Sequence, residues 1–189
     1  MIEQLKIRGF RGFSEYRIDD VGQVNLLVGT NNCGKTSILE AAYLLKLKGA
    51  LSAFLVVLGQ RGEEVVLDNR LSTELDLSRL FHGFHLRLES SFAVGCTDHD
   101  ATKRVFTSKI AENHSGYGLA VELNDIFPDG GNKIESFSYP LKGRNYSLPY
   151  DTQAINNHFQ TTDYDKCTQF IPSSSLSQER VVTLFERVV

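Results

Sequence analysis

Apolar residues recur at alternate or near-alternate positions from the start of the chain, at Ile2, Leu5, Ile7, Phe10, Phe13, Tyr16 and Ile18. With the glycine-containing RGFRGF in their midst, this pattern predicts two short strands joined as a hairpin. QVNLLVG at 23–29 is a short apolar run that ends in glycine, the form of a buried strand feeding a tight turn. The period then changes. In KTSILEAAYLLKLK, Ile38, Leu39, Ala42, Tyr43 and Leu45 fall on one side at helical spacing among good helix formers. ELDLSRLFHGF predicts a second, shorter helix capped by Ser72 or Thr73, with Leu75, Leu77, Leu80 and Phe81 as its buried side. HLRLES, KRVFTSKI, GLAVEL and KIESFSYPL alternate, and the polar DHDAT, NHSGYG and FPDGGN separate them, so an antiparallel sheet is expected there. KCTQFIPSSS reads as one more strand ending at Pro172, and LSQERVVTLFERVV has helical periodicity. Ser175 and Gln178 form a capping box that would open that last helix.

Between the third predicted strand and the first predicted helix lies Gly29-Thr30-Asn31-Asn32-Cys33-Gly34-Lys35-Thr36, a complete GxxxxGK[ST] loop in the strand–loop–helix setting such a loop requires. Backbone N–H groups from about Asn32 to Thr36 would turn inward as an anion nest, helped by the positive end of the helix. In such a loop Lys35 reaches the β and γ phosphates, Thr36 places its hydroxyl on Mg2+, and Ser37 reaches the α phosphate. The loop therefore names a nucleotide, though not a task.

Composition narrows the task by exclusion. A chain of 189 residues, 41% hydrophobic and 23% charged, suits one globular domain. Its net charge of −3 offers no global attraction to nucleic acid or to an anionic membrane. No apolar core of a signal peptide follows Met1, and the longest apolar run, LSAFLVVLG at 51–59, is far short of a membrane span. Cys33, Cys96 and Cys167 form no CxxC pair, which fits a reduced, cytoplasmic compartment. A GTPase would carry DxxG after the loop and an NKxD base reader. Here the DxxG at Asp19–Gly22 precedes the loop, and NKIE at 132–135 ends in glutamate. A nucleotide kinase would have an arginine-rich lid and a compact parallel sheet, whereas this chain turns antiparallel. His82, His85, Asp98, His99 and Asp100 have no regular ligand spacing, so no metal site held by protein side chains alone is expected. Cys33 reads as a small residue that fits its loop, with a redox-sensitive thiol as the alternative.

The stretch IEQLKIRGFRGFSEYRID followed by VNLLVGTNNCGKTSILEAAYLL resembles the N-terminus of the RecF, SMC and OLD-like group of ABC-type ATPases. In that group an L-x-I-x-x-F-R-x-F hairpin precedes G-x-N-[GN]-x-G-K-[ST]-[ST] and a helix reading L-L-E-A. The specific likeness covers residues 1 to about 48. It implies an α/β P-loop NTPase fold, an ABC-type ATPase lobe with a mixed sheet and an antiparallel β subdomain. Residues 1–48 would hold the hairpin, loop and helix, 49–165 a helical insert and antiparallel region, and 166–189 a strand and helix leading towards a further half. By the same resemblance Arg11 lies beside the nucleotide and Asn31 contacts phosphate, while Asn32 and Cys33 contribute backbone N–H groups. With Gly29, Gly34, Lys35, Thr36 and Ser37, these complete the expected nucleotide site.

The resemblance further implies Mg2+-dependent ATP hydrolysis driving closure of a dimer, in DNA repair or antiphage defence. Its partners would be a C-terminal half or a second copy, with DNA as a further possibility and no membrane. The group's Walker B carboxylates, which hold Mg2+ and activate water, have only VVLDN at 65–69 as a weak counterpart, centred on Asp68. The LSGG signature is reduced to LSQER at 176–180, and Ser173 to Ser175 stand where a glutamine is expected, with Gln169 and Gln178 as poor substitutes. The chain therefore reads as one lobe of a longer ATPase, whose catalytic residues are unknown. A P-loop kinase or transferase and a non-catalytic nucleotide-binding module are the other readings.

Overall fold

The computed structural model describes residues 1–66, 73–113, 116–141 and 146–149, all within a unit spanning Met1–Tyr150. Asp68, Ser72, Cys167 and everything expected of 166–189, including the capping box and Gln169, lie outside the described residues.

Strands β1 (Ile2–Phe10) and β2 (Phe13–Ile18) form the expected hairpin, with Phe10 opposite Phe13 and Arg11 turning the chain at φ 50°. Two helices follow, α1 (Lys35–Lys46) and α2 (Leu51–Gly59). The short strands β3 (Glu64–Val66) and β4 (Thr73–Leu75) come next, and then the long meander β5 (Ser91–Asp98), β6 (Lys103–Asn113), β7 (Gly116–Ile126) and β8 (Asn132–Pro140). The last described strand is β9 (Leu148–Pro149). A six-stranded sheet runs β2-β1-β5-β6-β7-β8, a three-stranded one β3-β4-β9, and every pairing among them is antiparallel.

Register explains the core. Ile7 pairs with Val94, Val94 with Phe106 and Phe106 with Leu123, so one buried row crosses four strands. Side chains two residues apart share a face, and Phe92, Ile110, Leu119 and Val121 extend this buried side. Phe54 of α2 meets Phe106 at 6.1 Å between ring centroids, and Phe10, Phe81 and Phe92 continue the cluster at 5.1 Å spacings. From α1, Ile38, Ala41, Leu44 and Leu45 add to the core. Gly49 lets the α1–α2 connection reach the sheet: at φ 63° it lies so close that a Cβ would come within 2.3 Å of Phe106.

The structure departs from the sequence pattern in four places. QVNLLVG forms no strand. Strand backbone needs hydrogen-bonded neighbours, and none stands beside 23–29 among the described residues. Within the run, Asn25 instead folds back to hold the Gly22 backbone at both its N–H and its carbonyl. ELDLSRLFHGF is not a continuous helix but β4 followed by two short 3-10 turns at Leu77–Leu80 and His82–Phe84. Its buried residues are those expected, but Thr73 lies in β4, Asp76 caps the first turn by accepting from Ser78 N, and Gly83 breaks the second at φ 79°. HLRLES is irregular, and the strand begins instead at Ser91 in SFAVGCTD, which alternates just as well. Leu39, expected in the core, is half exposed, because the buried side of α1 centres on Ala41 and Leu44.

Candidate functional site

The candidate nucleotide site is the opening of α1. Gly34 is its N-cap in a left-handed conformation, φ 95°, and no side chain caps the helix. No acidic residue occupies the first turn. The orphan N–H groups and the positive end of a twelve-residue helix are thus left for an anion. Asn32 is also left-handed, at φ 62°, which curls the loop back on itself. Two conditions restrict position 34 to glycine: its φ, and Phe13, whose Cζ would lie 2.4 Å from a Cβ there. The hairpin is therefore packed directly against the loop.

Lys35 Nζ donates to the carbonyl oxygens of Gly29 (2.9 Å) and Thr30 (2.7 Å) and lies 3.7 Å from Cys33 Sγ. These contacts draw the ammonium across the mouth of the loop, where a phosphate chain would meet it. Gly29, Asn31, Asn32, Cys33 and Thr36 are exposed around it, while Ser37 is buried in the first turn of α1. Thr36, the candidate Mg2+ ligand, is therefore exposed to solvent, while Ser37 is almost fully covered. Phe13 stacks on the exposed Tyr16 at 4.8 Å, and the pair forms an aromatic edge on the hairpin.

Arg11 lies deeper. It is 4% exposed, with Nε 2.5 Å from Glu40 Oε2, Nη1 2.7 Å from Glu63 Oε1, and Nη2 donating to the Val57 carbonyl. Arg61 meets the other side of Glu40, Nε to Oε1 at 2.6 Å and Nη2 to Oε2 at 3.0 Å, and its Nη2 also donates to Ser37 Oγ at 3.3 Å. Glu40 is thus held between two guanidinium groups. Burial nevertheless pushes its carboxyl above the ordinary glutamate value, against the pull of Arg11 and Arg61. His82 Nδ1 lies 3.1 Å from the Arg11 carbonyl oxygen.

Lys35, Thr36, Ser37 and the loop glycines lie together at the start of α1, whereas Arg11, expected beside the nucleotide, is buried against Glu40 and Glu63. Sequence reading assigned no role to the charged residues around it. It missed Glu40, Arg61 and Glu63. Glu40 carried one signal, a carboxylate at i+3 from Ser37 on the otherwise buried side of a helix. Arg61 and Glu63 carried none. Among the described residues no helix is long and apolar enough to cross a membrane.

Known proteins are similar in sequence to this chain over unequal lengths. The chain is 38% identical over 91 residues to uncharacterized protein MJECL10 of Methanocaldococcus jannaschii, a match covering 43% of this chain and 42% of that protein. It is 48% identical over 44 residues to the DNA replication and repair protein RecF of Idiomarina loihiensis, covering 23% of this chain and 12% of RecF. A similar match, 40% over 45 residues, covers 24% of this chain and 12% of an ATP/GTP phosphatase of Helicobacter pylori. The chain thus spans less than half the length of these relatives. The family described as AAA ATPase domain matches residues 1–169, from the hairpin through the loop and the meander. With an uncapped P-loop helix packed on that hairpin, the chain belongs to the AAA ATPase domain family and resembles the N-terminal part of RecF/SMC-like members.

Proposed function

We propose that this chain is the ATP-binding lobe of an SMC/RecF-like, ABC-type ATPase. The carrying observation is the open N-terminus of α1, free of any capping side chain, with Lys35 drawn across it by the Gly29 and Thr30 carbonyls. Gly29, Asn31, Asn32, Cys33 and Gly34 supply backbone N–H groups and close approach, Lys35 the charge on the β and γ phosphates, Thr36 a ligand for Mg2+, and Ser37 a contact to the α phosphate. Arg11, nominated beside the nucleotide by the family resemblance, is buried against Glu40, Glu63 and the Val57 carbonyl, so it bears on the site only through Glu40 of the helix that carries the loop. The Phe13–Tyr16 edge offers a stacking surface for adenine, so discrimination against GTP is modest.

The domain layout follows the same reading, with 1–48 as hairpin, loop and helix and the antiparallel region beside them. Val24, Leu26 and Val28, exposed at 92%, 85% and 78%, are the place where the rest of the ATPase sheet would add, from a C-terminal half or a second copy. In the whole protein, ATP hydrolysis with Mg2+ drives dimer closure, in DNA repair or antiphage defence.

The test is nucleotide binding and turnover by the purified chain. Mg-ATP is expected to bind without turnover above background, because the sequence offers only Asp68, a weak counterpart of the Walker B pair, to orient water beside Lys35 and Thr36. Loss of one electrostatic contributor of that kind costs about 100 to 1000-fold. Strong preference for GTP would sink the assignment, and transfer of the γ phosphate to an added acceptor would favour a kinase.

A further inference from the structure

Ser37 is a buried hydroxyl in the first turn of the nucleotide-binding helix, and its oxygen accepts a hydrogen bond from Arg61 Nη2 at 3.3 Å. A hydroxyl has one hydrogen to donate and two lone pairs. No acceptor for the Ser37 hydrogen is found among the described residues. Arg61 is fixed in turn by the two-pronged contact with Glu40, at 2.6 and 3.0 Å, and Glu40 is pinned from its far side by Arg11. The fork therefore has little freedom to swing away. Arg61 is 34% exposed, at the end of α2, and comes from a segment outside the loop motif.

We propose that Arg61 is a positioning residue for nucleotide binding: by occupying the Ser37 oxygen as a donor, it commits the Ser37 hydroxyl to donate towards the α phosphate of a nucleotide seated at the N-terminus of α1. Guanidinium geometry suits the task, because one planar group spans Glu40 and Ser37 together, which a single ammonium cannot do. The inference rests on the nucleotide reading of the loop and extends it to a residue that contacts no phosphate itself.

The experiment is titration of the chain with Mg-ADP for the unaltered protein, Arg61→Lys, Ser37→Ala and the double variant. The 31P resonance of the bound α phosphate and the melting temperature without nucleotide are followed in parallel. Arg61→Lys keeps a positive charge opposite Glu40, so its melting temperature stays close to that of the unaltered chain. Its Mg-ADP affinity is expected to fall about 10-fold, as for loss of one hydrogen bond to a charged group. The double variant is expected to bind no more weakly than Ser37→Ala alone, with the α-phosphate resonance displaced alike in all three. Losses that multiply in the double variant, or an Arg61→Lys protein that binds as tightly as the unaltered one, would overturn the inference and leave the nucleotide reading intact. If Arg61→Lys fails to fold, Arg61→Met, which keeps the apolar stem and removes every donor, takes its place and is judged on Mg-ADP affinity and the α-phosphate resonance alone. Absence of Mg-ADP binding by the unaltered chain overturns both readings together.

Discussion

Gly34 and Lys35 are neighbours with different kinds of necessity, and single substitutions separate them. Alanine at 34 would have to adopt φ 95° and displace the Phe13 ring, so Gly34→Ala is expected to cost about 2 to 4 kcal/mol from backbone strain and overpacking combined. Urea unfolding measures it, and a loss below about 1 kcal/mol would mean that the hairpin yields freely. Lys35 is different, because its ammonium rests on carbonyl oxygens of an exposed loop and supports no core. Lys35→Ala should leave the melting temperature without ligand nearly unchanged. Saturating Mg-ATP at about 100 times its Kd should raise the melting temperature of the unaltered chain by about 5 to 10 °C, and the variant should show no such rise. An equal rise in both proteins would remove Lys35 from the site. These residues were legible in the sequence because the motif fixes them by local spacing alone. Arg11 was legible as a candidate, but its ion pairs with Glu40 and Glu63 were not, since they join positions 29 and 52 residues away along the chain.

At the scale of elements, α1 is tied to its surroundings by charge as well as by apolar packing. Glu40, 1% exposed, faces Arg11 from the hairpin turn and Arg61 from the end of α2, so three segments meet on one carboxylate. Desolvation of such a group offsets much of the attraction, and the cluster contributes more to placement than to net stability. Removing one member is another matter. Glu40→Gln leaves a buried Arg11 short of a counter-charge and is expected to cost about 3 to 5 kcal/mol by denaturant unfolding, whereas Arg17→Gln, an exposed pair with Asp19, should change stability by less than about 0.5 kcal/mol. Equal effects of the two would deny the cluster its place at the helix. Elements whose pattern answers to a local neighbour were readable from sequence: the β1–β2 hairpin and the β6–β7–β8 meander stand where alternation put them. Those that depend on distant partners were not. Leu75 and Leu77 suit either a helix or a strand, and pairing of β4 with β3 and β9 decided the matter for Leu75. LSAFLVVLG, apolar nearly all round, became a helix because the sheet covers Phe54 and the short turns lie against α2.

For the whole molecule, the segment at 24–28 is an apolar run left on the surface. Val24, Leu26 and Val28 contribute nothing to the core described, so Val24→Thr, Leu26→Thr and Val28→Thr together should shift the melting temperature by no more than about 2 to 4 °C. Binding of the dye ANS, which reports exposed apolar surface, should fall in the same protein. A large loss of stability would show that these side chains are covered after all. No charged side chain stands between Asp20 and Lys35, and no proline interrupts the run. Natural proteins place charges and prolines beside apolar stretches to keep chains from stacking on one another. This stretch has no such guard, although it adjoins the loop that would hold the nucleotide. Kept apart from whatever covers it, the protein should lose solubility first here, and sulfate salts, which strengthen apolar association, should precipitate it at concentrations the threonine variant survives.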